Sequence, residues 1–210
     1  MIRIMPHPAN PPRRAATPLP WPPALEAMAE RRRLAPGTAL FRAGDPARHV
    51  FGLAQGQVAL RRVGVAGEDI VIHLAQAGEC FAEASLHGGH YHCTAEAVGT
   101  ADVAAVPAEA LRARLRDDPD FALQWSALLA AQLRRTRARV ERLCLRSAAD
   151  RVLHLLQTEG HGRDGAYTPR STLRALAAEL GLTPEALYRT LAALQRAGRL
   201  RRDGPVLRLR

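Results

Sequence analysis

Apolar positions follow two regimes along this chain. From residue 38 to residue 106 they come in short runs, at 38–41, 50–53, 57–62, 70–74, 91–98 and 102–106, punctuated by Pro36-Gly37, Gly44-Asp45-Pro46, Gly56, Gly67 and Gly88-Gly89. Runs of that length between turn residues predict strands, and their spacing predicts a small antiparallel barrel or roll. A short helix at 24–31 is expected to precede them. After Pro107 the period becomes helical. From Asp118 or Pro119 to about Arg146 there is no glycine and no further proline, which predicts a single helix of roughly 40 Å. On it Leu129, Leu133, Thr136, Val140 and Leu143 step by 4, 3, 4 and 3, the spacing of a coiled-coil seam. Arg134, Arg135, Arg137, Arg139 and Arg142 surround that seam. A narrow apolar seam on a charged helix predicts a dimer interface with a second copy; the alternative is a helix that only covers the roll.

A helix at 147–158 comes before the loop at 160–165. Two further helices, at 172–180 and 183–197, are joined through Gly181-Leu182. Gly181 suits the left-handed residue that ends a helix, Thr183 can cap the next one, and Pro184 stands where its missing N–H costs nothing. This is the pattern of a helix-turn-helix. Leu176, Ala177, Leu180, Leu182, Leu187, Leu191 and Leu194 fall between its helices, and Thr183, Glu185, Tyr188, Arg189 and Ala192 fall outward. From Arg199 to Leu209 arginines alternate with Leu and Val about Asp203-Gly204, which predicts a hairpin, the wing of a winged helix.

Charge separates the same two regimes. Residues 1–110 hold ten Arg against ten Asp and Glu, whereas residues 111–210 hold twenty Arg against ten acids, so the whole net charge of +10 lies in the second half. A neutral half joined to a basic half predicts a polyanion-binding module attached to something else. Eight of the fifteen prolines lie between Met1 and Pro23, which predicts a disordered tail over 1–23. The absence of an apolar run of about 18 residues, and of a signal-peptide core at the start, predicts a cytoplasmic protein with no membrane partner. Cys80, Cys93 and Cys144 form no C-x-x-C pair and read as structural thiols.

In this order the elements resemble the transcription regulators of the family of the cyclic AMP receptor protein and the fumarate and nitrate reduction regulator (CRP/FNR), over roughly residues 24–209. The resemblance is carried by LAPGTALFRAGDPARHVFGLAQGQVAL, GECFAEASL, VERLCLRSAADRVLHLL and TLRALAAELGLTPEALYRTLAALQRAGRL. It implies an α+β chain: a cyclic-nucleotide-binding-like β-roll at 24–117, a dimerisation helix at 118–146 and a winged helix-turn-helix at 147–210. The implied protein is a homodimeric transcription regulator that reads a two-fold symmetric site on double-stranded DNA, with RNA polymerase as a further partner if it activates; it is not an enzyme. Glu185 and Arg189 match the family's base-contacting pair, and the chemistry agrees, since a carboxylate accepts from cytosine and Arg is bidentate to guanine. Thr172 and Arg174 match phosphate-anchoring positions, with Thr183, Tyr188, Arg201 and Arg202 beside them. Pro184 departs from the family, because the position before the glutamate often donates to DNA.

The effector site departs further. The resemblance places Glu83, Ser85, Cys93 and Thr94 in the pocket of the roll, with Thr136 and Arg137 facing it from the long helix. Cys93 stands where the family's arginine neutralises the cyclic phosphate, so cyclic AMP is not the expected effector. No cysteine cluster lies near the amino terminus, which speaks against an iron-sulfur cluster. Four alternatives stay open. The segment from His87 to Cys93 could serve a metal- or haem-dependent sensor, since His90, His92 and Glu96 share one face of an extended strand, or Cys93 could be a reactive thiol. The roll could also be a scaffold for constitutive DNA binding. The same His90, His92 and Glu96 also match the first motif of cupins, which would make a metalloenzyme.

Overall fold

Turn glycines cut the first half of the chain into extended pieces whose small apolar residues face one interior. The computed structural model describes residues 21–169 and 172–210, and these divide between Asp118 and Pro119 into two units. The first begins with α1 (Pro23–Glu26), β1 (Glu30–Leu34), β2 (Ala39–Phe41), β3 (His49–Gln55), β4 (Gln57–Val63) and β5 (Asp69–Gln76). It continues with β6 (Glu79–Phe81), a 3-10 turn (Glu83–Ser85), β7 (Thr94–Ala97), β8 (Ala101–Pro107) and α2 (Ala108–Asp117). Two four-stranded antiparallel sheets result, ordered β1-β8-β3-β6 and β2-β7-β4-β5. Phe51, Leu53 and Val103 of one sheet and Phe41, Val58, Leu60 and Ala95 of the other share one core. Phe51 stacks on Phe41 and Phe81 at 5.6 and 5.3 Å, each buried ring contributing about 1.5–3 kcal/mol. This is the expected roll.

Four details differ from the sequence reading. The helix expected at 24–31 stops at Glu26, and Glu30 and Arg31 already pair with Ala105 and Ala104 of β8. Only Leu34 of β1 is buried, so backbone pairing to β8, rather than apolar alternation, makes that strand. The expected tail falls on residues 1–20, which lie outside the described residues, and on 21–23, where Trp21 is 6% exposed and Pro23 opens α1. The strand expected at 91–98 is only Thr94–Ala97. Ahead of it the Tyr91 hydroxyl accepts from the His49 amide at 3.0 Å and donates to the His49 carbonyl at 2.9 Å. Those bonds hold the preceding residues against the start of β3 instead of in the ladder. Finally, β6 is a three-residue strand paired with Phe51–Leu53, too short to leave an alternation.

The second unit contains α3 (Pro119–Cys144), α4 (Ala148–Glu159), α5 (Leu173–Glu179), α6 (Pro184–Arg196), β9 (Leu200–Asp203) and β10 (Val206–Leu209). Its core joins Val152, Leu155 and Leu156 of α4 to Leu176, Leu180, Leu187, Leu191 and Leu194, with Leu207 beneath. Two arginines knit the helices together. Arg142 of α3 is fully buried; its guanidinium pairs with Glu159, lies 3.7 Å from Glu179 and donates to Thr158 at 3.4 Å. Arg151 of α4 donates to the carbonyls of Leu143 (3.4 Å) in the last turn of α3 and Leu145 (2.9 Å) just beyond it, and to those of Leu180 (3.1 Å) and Gly181 (3.3 Å) past the end of α5. A cation there faces the carbonyl ends of two helices, where positive charge is favoured.

Candidate nucleic-acid interface and candidate effector site

The turn between α5 and α6 is fixed by backbone geometry. Gly181 has φ +64°, its amide donates to Ala178 at 3.1 Å, and the Leu182 amide donates back to Ala177 at 2.8 Å, the paired bonds that close a helix through a left-handed residue. A Cβ there would stand 3.2 Å from both Leu143 Cδ2 and Arg151 Nη1, so glycine is required on two counts. The Thr172 and Thr183 hydroxyls accept from the Ala175 and Ala186 amides, each at 3.2 Å, and Pro184 occupies the first turn of α6. Each such cap is worth about 1 kcal/mol.

With Leu187, Leu191 and Leu194 turned inward, α6 presents Thr183, Glu185, Tyr188, Arg189 and Ala192 on its exposed side, the face the sequence predicts. The Glu185 carboxyl is held below the usual carboxylate range by its own amide first, then by the Thr183 hydroxyl and the Arg189 and Arg174 charges. The carboxylate form is thus favoured at the helix start, by the amino end of α6 more than by Arg189. Thr172 and Arg174 are exposed on the first turn of α5.

In the wing, Asp203 pairs with Val206, so the turn is Gly204-Pro205 and not the expected Asp203-Gly204; Gly204 supplies φ +58°. Tyr167 adds a bridge to Leu207, with both bonds at 2.8 Å. Arg201 and Arg202 are exposed, but neither is unengaged. Arg201 donates to Asp203 from Nε (3.0 Å) and Nη2 (2.5 Å), and Arg202 donates to the Gly204 carbonyl at 2.9 Å. Arg208 binds Asp164 at 2.5 Å and lies 3.4 Å from the same Asp203 oxygen. The two acids were not singled out by sequence, although Asp203 two residues after Arg201 on one strand was a legible signal.

On α3 the seam residues remain uncovered within the single chain: Leu129, Leu133, Val140 and Leu143 are 37%, 50%, 57% and 40% exposed, and Thr136 is exposed too. A row of aliphatic residues left in water along one helix face is an unsatisfied apolar surface.

Glu83, Ser85, Cys93 and Thr94 belong to the roll, whereas Thr136 and Arg137 belong to α3 of the second unit. Ala82, before the 3-10 turn, adopts φ +67°, a left-handed conformation for a residue with a Cβ. Burial raises the Glu83 carboxyl, opposed by its own amide and by His73 and reinforced by Glu79. His73 and Glu79 themselves stand 3.2 Å apart, a pair the sequence reading missed because they lie on separate strands. Ser85 is buried with its hydroxyl 3.0 Å from His92 Nδ1, and the Thr94 hydroxyl accepts from the Ala43 amide at 3.2 Å. Cys93 is buried in the core, and burial pushes its thiol up, with Arg62 only partly opposing. Burial disfavours the thiolate, which gives the reactive-thiol alternative no support, and a thiol brings no positive charge to a cyclic phosphate.

The metal alternative is corrected as well. The strand begins at Thr94, so His90 and His92 lie in the bends before it; His90 bridges Pro46 and His92 is engaged by Ser85. Among the described residues no group of three His, Cys, Asp or Glu is placed to hold a metal ion, and His90, His92 and Glu96 do not converge. None of the described helices is long and apolar enough to cross a membrane.

Comparison with known proteins adds to this geometry. The profile of the cyclic nucleotide-binding domain matches residues 31–118. The cyclic AMP receptor protein of Thermus thermophilus is 32% identical over 174 residues, covering 81% of this chain and 80% of that protein. The global nitrogen regulator of Nostoc sp. is 30% identical over 141 residues, 65% of this chain, and the match spans only 60% of that relative's length. The structure of FixK2 from Bradyrhizobium japonicum superposes with a TM-score of 0.62, covering 87% of this chain and 92% of that one, and at 23% identity it supports the fold alone.

Proposed function

The chain belongs to the CRP/FNR family of transcription regulators, and from that premise we propose that it acts as a homodimer that binds a two-fold symmetric DNA site through α6 and the wing. The observation that carries this reading is the exposed row Glu185, Tyr188 and Arg189 on a helix whose start, turn and inner face are each fixed. Glu185 accepts from cytosine N4, Arg189 is bidentate to guanine, and Thr172, Arg174, Arg201 and Arg202 hold phosphates. Pro184 offers no donor and narrows the half-site. The exposed seam from Leu129 to Leu143 is the surface through which two copies pair, setting two recognition helices in successive major grooves about 34 Å apart.

The roll serves as the sensing unit for an effector other than cyclic AMP. Support comes from the buried Cys93, which supplies no cation at its position, and from Glu83, whose carboxyl can accept hydrogen bonds and whose charged form burial disfavours. Such a site favours a ligand that donates hydrogen bonds over one that brings a phosphate.

Selection of bound sequences from a random duplex pool, followed by gel shift, tests the reading. The selected sites should be inverted repeats. Arg189→Ala should lose about 1–3 kcal/mol of binding to them, roughly ten- to hundredfold, while binding to random DNA hardly changes. A pool that yields no enriched sequence overturns it.

A further inference from the structure

The wing arginines differ from those of the long helix in one respect. On α3, Arg134, Arg135 and Arg137 make no ion pair among the described residues, whereas on the wing Arg201 and Arg208 are both held by carboxylates. One oxygen of Asp203 receives Nε and Nη2 of Arg201 at 3.0 and 2.5 Å and stands 3.4 Å from Arg208 Nε; Asp164 takes the far side of Arg208 at 2.5 Å. All four side chains keep substantial exposure, between 31% and 52%. Ion pairs this open to water are weak, so a phosphate oxygen can replace the carboxylate. The Arg208 contact holds the Asp164 carboxyl below its usual range.

Resting on the DNA-binding reading above, we infer that Asp203 is a specificity-determining residue: an internal stand-in for DNA phosphate that occupies the wing arginines until the recognition helix is in register. The carboxylate acts in two ways. It subtracts charge from the attraction of the wing to any duplex, which weakens sequence-independent binding, because that binding is almost wholly electrostatic. It also holds Arg201 in one orientation along β9, a benefit realised only when base contacts have already fixed the position of the wing against the backbone. The first effect penalises every sequence and the second rewards the correct one, so the ratio of specific to random affinity rises.

The experiment compares wild type, Asp203→Asn, Asp203→Glu and the double variant Asp203→Asn with Arg201→Gln, on a selected site and on a random duplex across a salt series. Asp203→Asn should bind random DNA roughly three- to tenfold more tightly at low salt, with the slope of log K against log salt steeper by about one. Its affinity for the selected site should change less, so that discrimination falls. Asp203→Glu keeps the charge and should stay within about twofold of wild type on random DNA, which separates charge from folding. Adding Arg201→Gln should cancel the gain. Unchanged random-DNA affinity and slope in Asp203→Asn, or equal gains on both duplexes, overturns the inference. A wild-type protein that binds no duplex overturns the DNA-binding reading and this inference with it, and the wild-type lane alone tells the two failures apart.

Discussion

The roll and the winged helix carry the same family likeness and have kept different things. The winged helix keeps the matched chemistry: Glu185 and Arg189 stand exposed on a helix whose caps, glycine turn and buried leucines are all in place. The roll keeps the architecture, two four-stranded sheets about one aromatic and aliphatic core, but in the reading proposed above it sets a buried cysteine where the family's arginine would stand, and it holds Ala82 in a backbone conformation suited to glycine. A core is specified by many small apolar contacts, no one of which is decisive, whereas a ligand site is specified by a few charges. A fold therefore outlasts its ligand.

That contrast can be broken at several places. The largest effect is expected in the second unit: Arg142→Ala leaves Glu159 and Glu179 without their common cation and should destabilise the helices by about 3 kcal/mol, read as a lower urea midpoint by helical circular dichroism. Next, Leu133→Glu, which places a charge in the exposed seam, should dissociate the dimer in sedimentation and lower affinity for an inverted repeat at least tenfold, a loss of about 1.4 kcal/mol or more. An unchanged sedimentation coefficient would assign the seam to something other than dimer contact.

Changes in the roll should be milder and should leave DNA recognition alone. Ala82→Gly removes the left-handed strain and should stabilise the protein by about 0.5–1 kcal/mol, less any entropy the glycine adds to the unfolded chain; a lower melting temperature would count against strain there. The smallest effect is read by its sign. Because burial raises the folded-state pKa of Glu83, the ionised side chain costs stability above that pKa, and the cost disappears as pH falls below the ordinary carboxylate range. Glu83→Gln should therefore raise the melting temperature at pH 7, with the gain shrinking toward pH 4. A gain independent of pH would point to packing instead of charge.

Periodicity made most of this architecture legible. The runs at 50–53, 57–62, 70–74 and 102–106 lie within β3, β4, β5 and β8, because in each turn glycines or prolines bound a run rich in apolar residues. The helix-turn-helix could be read to the residue, since capping threonines, Gly181 and Pro184 are local signals. What escaped was non-local. β1 begins Glu-Arg-Arg-Arg and is a strand only because β8 offers it backbone partners. Tyr91 looks like a strand residue, yet its hydroxyl is bound to His49, 42 positions away, and the strand begins only at Thr94, after His90 and His92. The burial of Arg142 depends on α4 and α5, so in the sequence it was one more arginine on a charged helix.

The buried guanidinium of Arg142, shared by acids from two other helices, has a consequence for how this protein changes over generations. Replacing Arg142 takes from Glu159 and Glu179 the cation they share, and replacing either acid leaves the buried guanidinium with half of its neutralising charge, whereas an apolar set of similar volume would be as stable or more so. The route between the two solutions crosses intermediates that fold poorly. The three positions are thus expected to be inherited together, so that in descendants of this sequence the identity at one of them forecasts the other two.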